Sequence, residues 1–228
     1  NVTATYEECI AFYEALDKKY ASVEVKTFGE TDGGEHLQLV TITKDGNHNP
    51  SHWKQTNKMV ILINNGIHPG EPDGIDASMM LARDMVQQKN GLQLPSNIVL
   101  CIIPVFNIAG CKLRSAYHRP DQNGPAAFGE RGNAQNLDLN RDFIKCDSKD
   151  AQSFTTLFHY VKPAIFIDNH VSDGADYAPI ITLATTQHNK LGGFMETYLQ
   201  QKFEPALYEG MLQKKYTMIP YVNVWRSE

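Results

Sequence analysis

The chain has 228 residues, 42% of them hydrophobic and 21% charged, with a formal net charge of −5 at neutral pH. This is an ordinary globular composition, long enough for one domain with a substantial core. Lys and Arg form no block or stripe that would serve a nucleic-acid partner. The longest apolar runs, from Met59 and Ile98, fall far short of the roughly 20 residues that a membrane-spanning helix requires.

Thr5 followed by Glu8 forms a capping-box pattern, and Tyr6, Ile10, Tyr13, Leu16 and Tyr20 recur at helical spacing, so an amphipathic helix opens the chain. Two β-branched runs, Ser22–Gly29 and His36–Thr43, flank a Gly-containing turn and predict a hairpin. From Met59 the pattern changes. A buried-strand run (Met59–Asn64) precedes a helix with Ile75, Met79, Ala82 and Val86 on one face, and a second buried run follows from Asn97 to Phe106. Such alternation predicts an α/β fold, a three-layer sandwich around a mixed, mostly parallel sheet covered on both faces. The segment from Gly110 to Phe143 lacks periodicity, and loops of that length inside a domain are usually functional. Strand patterns resume at Lys162–His170 and Ala178–Thr186, then a helix is predicted from about His188 to Tyr208 and a last strand over Tyr216–Trp225. Cys9, Cys101, Cys111 and Cys146 contain no CxxC pair, which argues against a cysteine zinc site. Cys101 reads better as a buried free thiol than as a partner for Cys111.

His68 and Glu71 follow one apolar strand and His170 ends another. Strand carboxyl ends border the binding crevice of open α/β sheets, so this topology delivers two imidazoles and a carboxylate to one edge. Two His and one Glu satisfy zinc and leave a fourth position for water. A lone HxxE is common by chance, and its plainer reading is a loop His beside a Glu at a helix start. Asn140 and Arg141, in "NLDLNRDF", suit a ligand carboxylate, the guanidinium gripping it by a rigid fork. The plainer reading pairs Arg141 with Asp138 or Asp142.

Taken together, "HPGE", "NLDLNRDF" and "IDNH" resemble, in order and context, the zinc carboxypeptidases related to carboxypeptidase A. The matching positions run from about Met59 to Tyr177. The resemblance implies Zn2+ held by His68, Glu71 and His170, a set already known for carboxypeptidase A. It further implies that Asn140 and Arg141 hold the substrate's C-terminal carboxylate. Asp138 would support a ligand histidine. Arg131 is the choice for steadying the oxyanion, with Arg119 and Arg114 as rivals. The implied activity is removal of C-terminal residues from peptides by promoted-water hydrolysis.

Two departures stand out. Gly70 occupies a position where pancreatic-type relatives carry an additional substrate-contacting Arg. No general-base Glu is identifiable within 1–228: Glu196, Glu204 and Glu209 fall on a predicted helix and Glu228 is terminal. Residues 1–228 are therefore expected to form a single zinc-carboxypeptidase-like catalytic domain lacking its C-terminal part. Alternatives are a deacylase of small carboxylate-bearing amides and a non-catalytic zinc-containing peptide-binding module. In all three the partner is a peptide or small amide with a free carboxylate. A start at Asn1 in a family of secreted hydrolases weakly favours a secreted or periplasmic location.

Overall fold

A computed structural model describes residues 2–172 and 174–221. It divides into two compact units, Asn1–Asp173 and Gly174–Glu228.

The first unit opens with helix α1 (Tyr6–Lys19). Thr5 Oγ1 accepts from Glu8 N at 3.2 Å and Glu8 Oε2 accepts from Thr5 N at 2.8 Å, so two amides at the helix start are satisfied reciprocally. Strands β1 (Val23–Glu30) and β2 (His36–Thr43) form the antiparallel hairpin. A short helix, α2 (Pro50–Gln55), is capped by Asn49. Strand β3 (Met59–Asn64), helix α3 (Asp73–Val86) and strand β4 (Ile98–Ile103) come next. The long loop region holds helix α4 (Ile108–Lys112) and the small antiparallel pair β5 (Arg114–Ser115) and β6 (Phe128–Gly129). Helix α5 (Lys149–Val161) and strand β7 (Ile165–Asp168) complete the unit.

The central sheet has the order β1-β2-β4-β3-β7. It is mixed: β3 lies parallel to both β4 and β7, whereas β2 runs antiparallel to β1 and β4. Side chains alternate across it, so β3 sends Val60 and Leu62 to one face and Ile61 and Ile63 to the other. On the first face they pack with Trp53 of α2 and Phe154, Leu157 and Val161 of α5. On the second they meet Cys9, Tyr13 and Leu16 of α1 and Ile75 and Ala82 of α3. This is the expected three-layer arrangement. Each fully buried Leu or Ile, such as Leu62 or Ile102 at 0% exposure, contributes about 1.5–3 kcal/mol.

All four cysteines are free, and Cys9, Cys101 and Cys111 are buried. Burial pushes the Cys9 and Cys101 thiols up to about 12, which makes them inert packing groups.

The second unit pairs strand β8 (Ile181–Leu183) in parallel with β9 (Met218–Pro220). Between them run α6 (His188–Leu191), α7 (Gly193–Tyr198), a π turn over Leu199–Phe203, and α8 (Glu204–Gln213). The single helix expected there is interrupted at Gly192, whose φ of +65° no helix accommodates, and it extends past Tyr208. The last predicted strand runs partly beyond the described residues.

The turn after the "NLDLNRDF" motif rests on Asp142, which is 5% exposed. Its carboxylate accepts from Asp147 N at 2.9 Å, Ser148 N at 2.9 Å and Ser148 Oγ at 2.6 Å. Ser148 in turn caps α5 by accepting from Ala151 N. Burial favours the neutral acid, but these hydrogen bonds outweigh it and hold the Asp142 carboxyl below its ordinary value. Its stabilisation is therefore present above the unfolded-state pKa and is lost as the pH falls through the lower folded one. Asp142→Asn is expected to cost about 1–3 kcal/mol at neutral pH, with the deficit shrinking below roughly pH 4; urea denaturation of both forms across that range measures it.

Candidate metal centre

The parallel strands deliver the site. β3 ends at Asn64, and the chain then bends through Gly66, whose φ of +63° places it in the left-handed region. His68 follows, and Glu71 N donates to His68 O at 2.9 Å, closing a tight turn just before α3. β7 ends at Asp168, two residues before His170. Asn65 locks the two strand exits together. Its Nδ2 donates to Ile103 O and Ser78 Oγ, while its Oδ1 accepts from Asn169 Nδ2 at 2.8 Å.

In this frame the ligand atoms of His68, Glu71 and His170 lie within 4.8 Å of one another. His68 Nδ1 is 3.2 Å from Glu71 Oε1, and His170 Nδ1 is 3.0 Å from Glu71 Oε2. The far nitrogens are each held by a carboxylate: His68 Nε2 by Asp138 at 3.1 Å, and His170 Nε2 by Asp168 at 3.0 Å. In the metal-bound form an Nε2–H donated outward would leave each Nδ1 lone pair facing the centre, which is the tautomer a metal needs. Asp168 is itself oriented by Asn64 Nδ2 at 2.9 Å.

Burial alone would raise the Glu71 carboxyl, but hydrogen bonds from His170, His68 and Val171 N hold it well below the usual carboxylate range. For His170 burial works against the charged ring, yet the bonds to Asp168 and Glu71 dominate and its pKa is pushed up to about 9. The donor set is two imidazoles and one buried carboxylate with no thiolate, which fits zinc with an open coordination position.

Two guanidinium groups converge on the cluster. Arg131 Nη1 lies 3.3 Å from His68 Nδ1, and its Nε and Nη2 donate to Asp138 Oδ2 at 3.1 and 3.0 Å. Arg119, only 7% exposed, places Nη1 3.0 Å from Glu71 Oε1. Arg114 is engaged elsewhere, donating to Ala4 O, Thr3 Oγ1 and Ala127 O. Asn140 and Arg141 occupy a 3-10 turn, Leu139–Arg141, started by Asp138, whose Oδ1 accepts from Asn140 N. Arg141 is exposed and donates to Asn140 O; among the described residues it is ion-paired with neither Asp138 nor Asp142.

The loop carrying Arg131 and Asp138 is organised by Asn133, a residue the sequence did not single out. Its Oδ1 accepts from Gln135 N and Leu137 N, and its Nδ2 donates to Asp32 and Asp150. Burial raises the Asp150 carboxyl above its ordinary value. Asp32 sits just past β1 and Asp150 in the first turn of α5, so the loop is tied to both.

The profile described as zinc carboxypeptidase matches residues 9–172. The chain belongs to the zinc carboxypeptidase family. Its fold is similar to that of a Burkholderia cenocepacia metallo-carboxypeptidase (TM-score 0.69, 18% identity, 97% of this chain and 54% of that one). It is also similar to a Pseudomonas aeruginosa metallo-carboxypeptidase solved with (2-guanidinoethylmercapto)succinic acid (0.68, 16%, 99% and 53%). Carboxypeptidase A from Helicoverpa armigera is a third such structure (0.65, 16%, 96% and 57%). The chain thus spans just over half the length of these structures. No curated protein sequence matches it.

Within this zinc carboxypeptidase frame Gly70 explains the path of Arg119. A Cβ on Gly70 would stand 2.8 Å from Arg119 Cγ and 2.9 Å from Gly129 O. Gln122 braces both, accepting from Arg119 Nε at 2.6 Å and donating to Gly70 O at 3.3 Å. Gly70→Ala is expected to displace the Arg119 stem and cost about 1–3 kcal/mol, as overpacking does; thermal unfolding of the variant beside Arg119→Ala measures it, and an unchanged midpoint for Gly70→Ala would contradict the close approach.

Proposed function

We propose that the protein is a zinc-dependent metallocarboxypeptidase that removes C-terminal residues from peptides. The observation that carries this reading is the convergence of His68, Glu71 and His170 within 4.8 Å, in a chain whose exposed Arg141 is in no ion pair among the described residues. Zinc bound there would polarise the scissile carbonyl and supply an activated water.

In this reading the chain's own residues do the following. Asp138 and Asp168 fix the two imidazoles with Nδ1 inward. Arg141 and Asn140 grip the substrate's terminal carboxylate, which sets the register of the last peptide bond. Arg131, held by Asp138, offers its guanidinium to the developing oxyanion. No carboxylate is assigned to take the water's proton among the described residues: Glu196 and Glu209 lie on α7 and α8, and Glu204 Oε1 accepts from Thr185 Oγ1. The succinic acid derivative in the Pseudomonas aeruginosa relative carries carboxylates, in keeping with a carboxylate grip on this chain.

The test is metal content followed by hydrolysis of C-terminal peptide libraries, on residues 1–228 and on the chain in a longer form. One zinc per chain is expected, abolished in His68→Ala and in His170→Ala; unchanged metal content in either variant overturns the ligand assignment. In an active form Arg141→Ala should raise KM about tenfold to a hundredfold, the worth of one charged hydrogen-bonding group. A preference for N-acylamino acids over peptides would instead mark a deacylase.

A further inference from the structure

The two guanidinium groups that reach the metal centre have different surroundings. The Arg131 side chain is 38% exposed and that of Arg119 only 8%. A group that meets a developing oxyanion has to be open to the substrate, so Arg131 suits that contact and Arg119 does not. Arg119 is locked inside the protein instead. Its Nε donates to Gln122 Oε1 at 2.6 Å, Gln122 Nε2 donates to Gly70 O at 3.3 Å, and its stem passes where Gly70 has no side chain. Held in this way, Nη1 stands 3.0 Å from Glu71 Oε1.

That oxygen is shared with a metal ligand, since His68 Nδ1 lies 3.2 Å from it. The other oxygen, Oε2, is met by His170 Nδ1 and Val171 N, each at 3.0 Å. In the metal-free form the guanidinium answers a carboxylate whose side chain is 2% exposed, a charge that is costly to leave buried and unpaired. An ion coordinated by Glu71, at about 2.0–2.2 Å from its oxygen, stands one carboxylate away from that guanidinium. Two cations on one buried carboxylate repel each other.

The charges joined at the centre point the same way. Among the described residues they are the carboxylates of Glu71, Asp138 and Asp168 and the guanidinium groups of Arg119 and Arg131. With both imidazoles neutral, as metal ligands are, three carboxylates against two guanidinium groups leave one negative charge, and against Arg131 alone they leave two. A divalent cation therefore overshoots neutrality with Arg119 present and reaches it with Arg119 removed.

We propose that Arg119 is a positioning residue that holds the Glu71 carboxylate in the metal-free form and opposes zinc in the bound one, so that the ion enters a formed site and is held less tightly than its three ligands alone would hold it. This rests on the zinc reading given above and on no step of the peptidase reaction.

The experiment is zinc affinity by chelator competition at neutral pH, beside thermal unfolding of the metal-free form, for the 228-residue chain and three variants. Arg119→Met is expected to lower the metal-free unfolding midpoint and yet to bind zinc at least about tenfold more tightly, a like charge having been removed from beside the ion. A residue that merely supported the fold would lose stability and zinc affinity together. Arg119→Lys, which keeps the charge, should stay within about threefold of the wild-type affinity, less than half of a tenfold step in free energy. Gln122→Glu leaves the Arg119 stem in place and offsets its charge from the far side, so it should also tighten zinc; it decides the matter where Arg119→Met does not fold. Zinc held equally or more weakly by the neutral variant and by Gln122→Glu overturns the proposal, as does an Arg119→Lys affinity equal to that of Arg119→Met. Absence of zinc binding by the wild-type chain overturns the metal centre itself, and so is distinguishable from a failure confined to Arg119.

Discussion

A carboxylate buried at 3% exposure, Glu71, sets the terms for everything around it. Removing such a charge from water costs several kcal/mol unless its lone pairs are answered inside the protein. Glu71 is answered from four directions: His68, His170, Val171 N and Arg119. Those groups come from positions as far apart as 68 and 171, so the carboxylate is satisfied only when β3, β7 and the Arg119 loop are all in place. The site and the fold therefore share one requirement. In the metal-bound form the same oxygens would serve the ion, and the histidines would need no rearrangement because Asp138 and Asp168 already fix their outer nitrogens.

The parallel stretch β4-β3-β7 gives the first unit two chemically different edges. At the carboxyl ends, loops leaving the strands carry two histidines and three carboxylates into mutual contact. At the amino ends stand Lys58, immediately before β3, and Lys162, shortly before β7. The antiparallel hairpin β1–β2 spans both: Asp32 at its turn holds Asn133 near the metal centre, while Lys26 on its strand sits over Tyr160 of α5.

Long amphipathic or wholly apolar segments were readable in the sequence. The capping box of α1, the β1–β2 hairpin, the buried runs of β3 and β4, and the α3 face all follow from period and composition, and each appears within a few residues of its expected bounds. The parallel pairings are fewer than anticipated, because the hairpin joins the sheet through β2 and imposes antiparallel neighbours there. α2 leaves no periodic signal in the sequence, since Trp53 is its one buried residue. α5 has Ser148 as cap and Ala151, Phe154, Leu157 and Val161 on one face, but polar and aromatic neighbours mask that stripe in the sequence. At the site, residue types and order pointed to His68, Glu71 and His170, the family resemblance implied Asp138 and Arg131, and the structure brings all five together. The role of Arg119 was undecidable from sequence because its approach depends on the absence of a side chain at Gly70, a tertiary fact. Asn133 was invisible for a similar reason: its partners Asp32 and Asp150 lie far away in the chain.

The Asn133 knot changes when the entropy of the Arg131–Asp138 segment is spent. Fixing a residue's backbone costs about 1–2 kcal/mol, and an eight-residue surface loop left free would demand that cost from each arriving substrate. Here the segment is already closed on itself through Asn133 Oδ1 and anchored at Asp32 and Asp150, so folding meets the cost once. Under the proposed function, what would remain for a ligand to order is the exposed side chain of Arg141. Binding energy would thereby be available, under that same function, for orientation at the scissile bond rather than consumed in shaping the loop that receives the substrate.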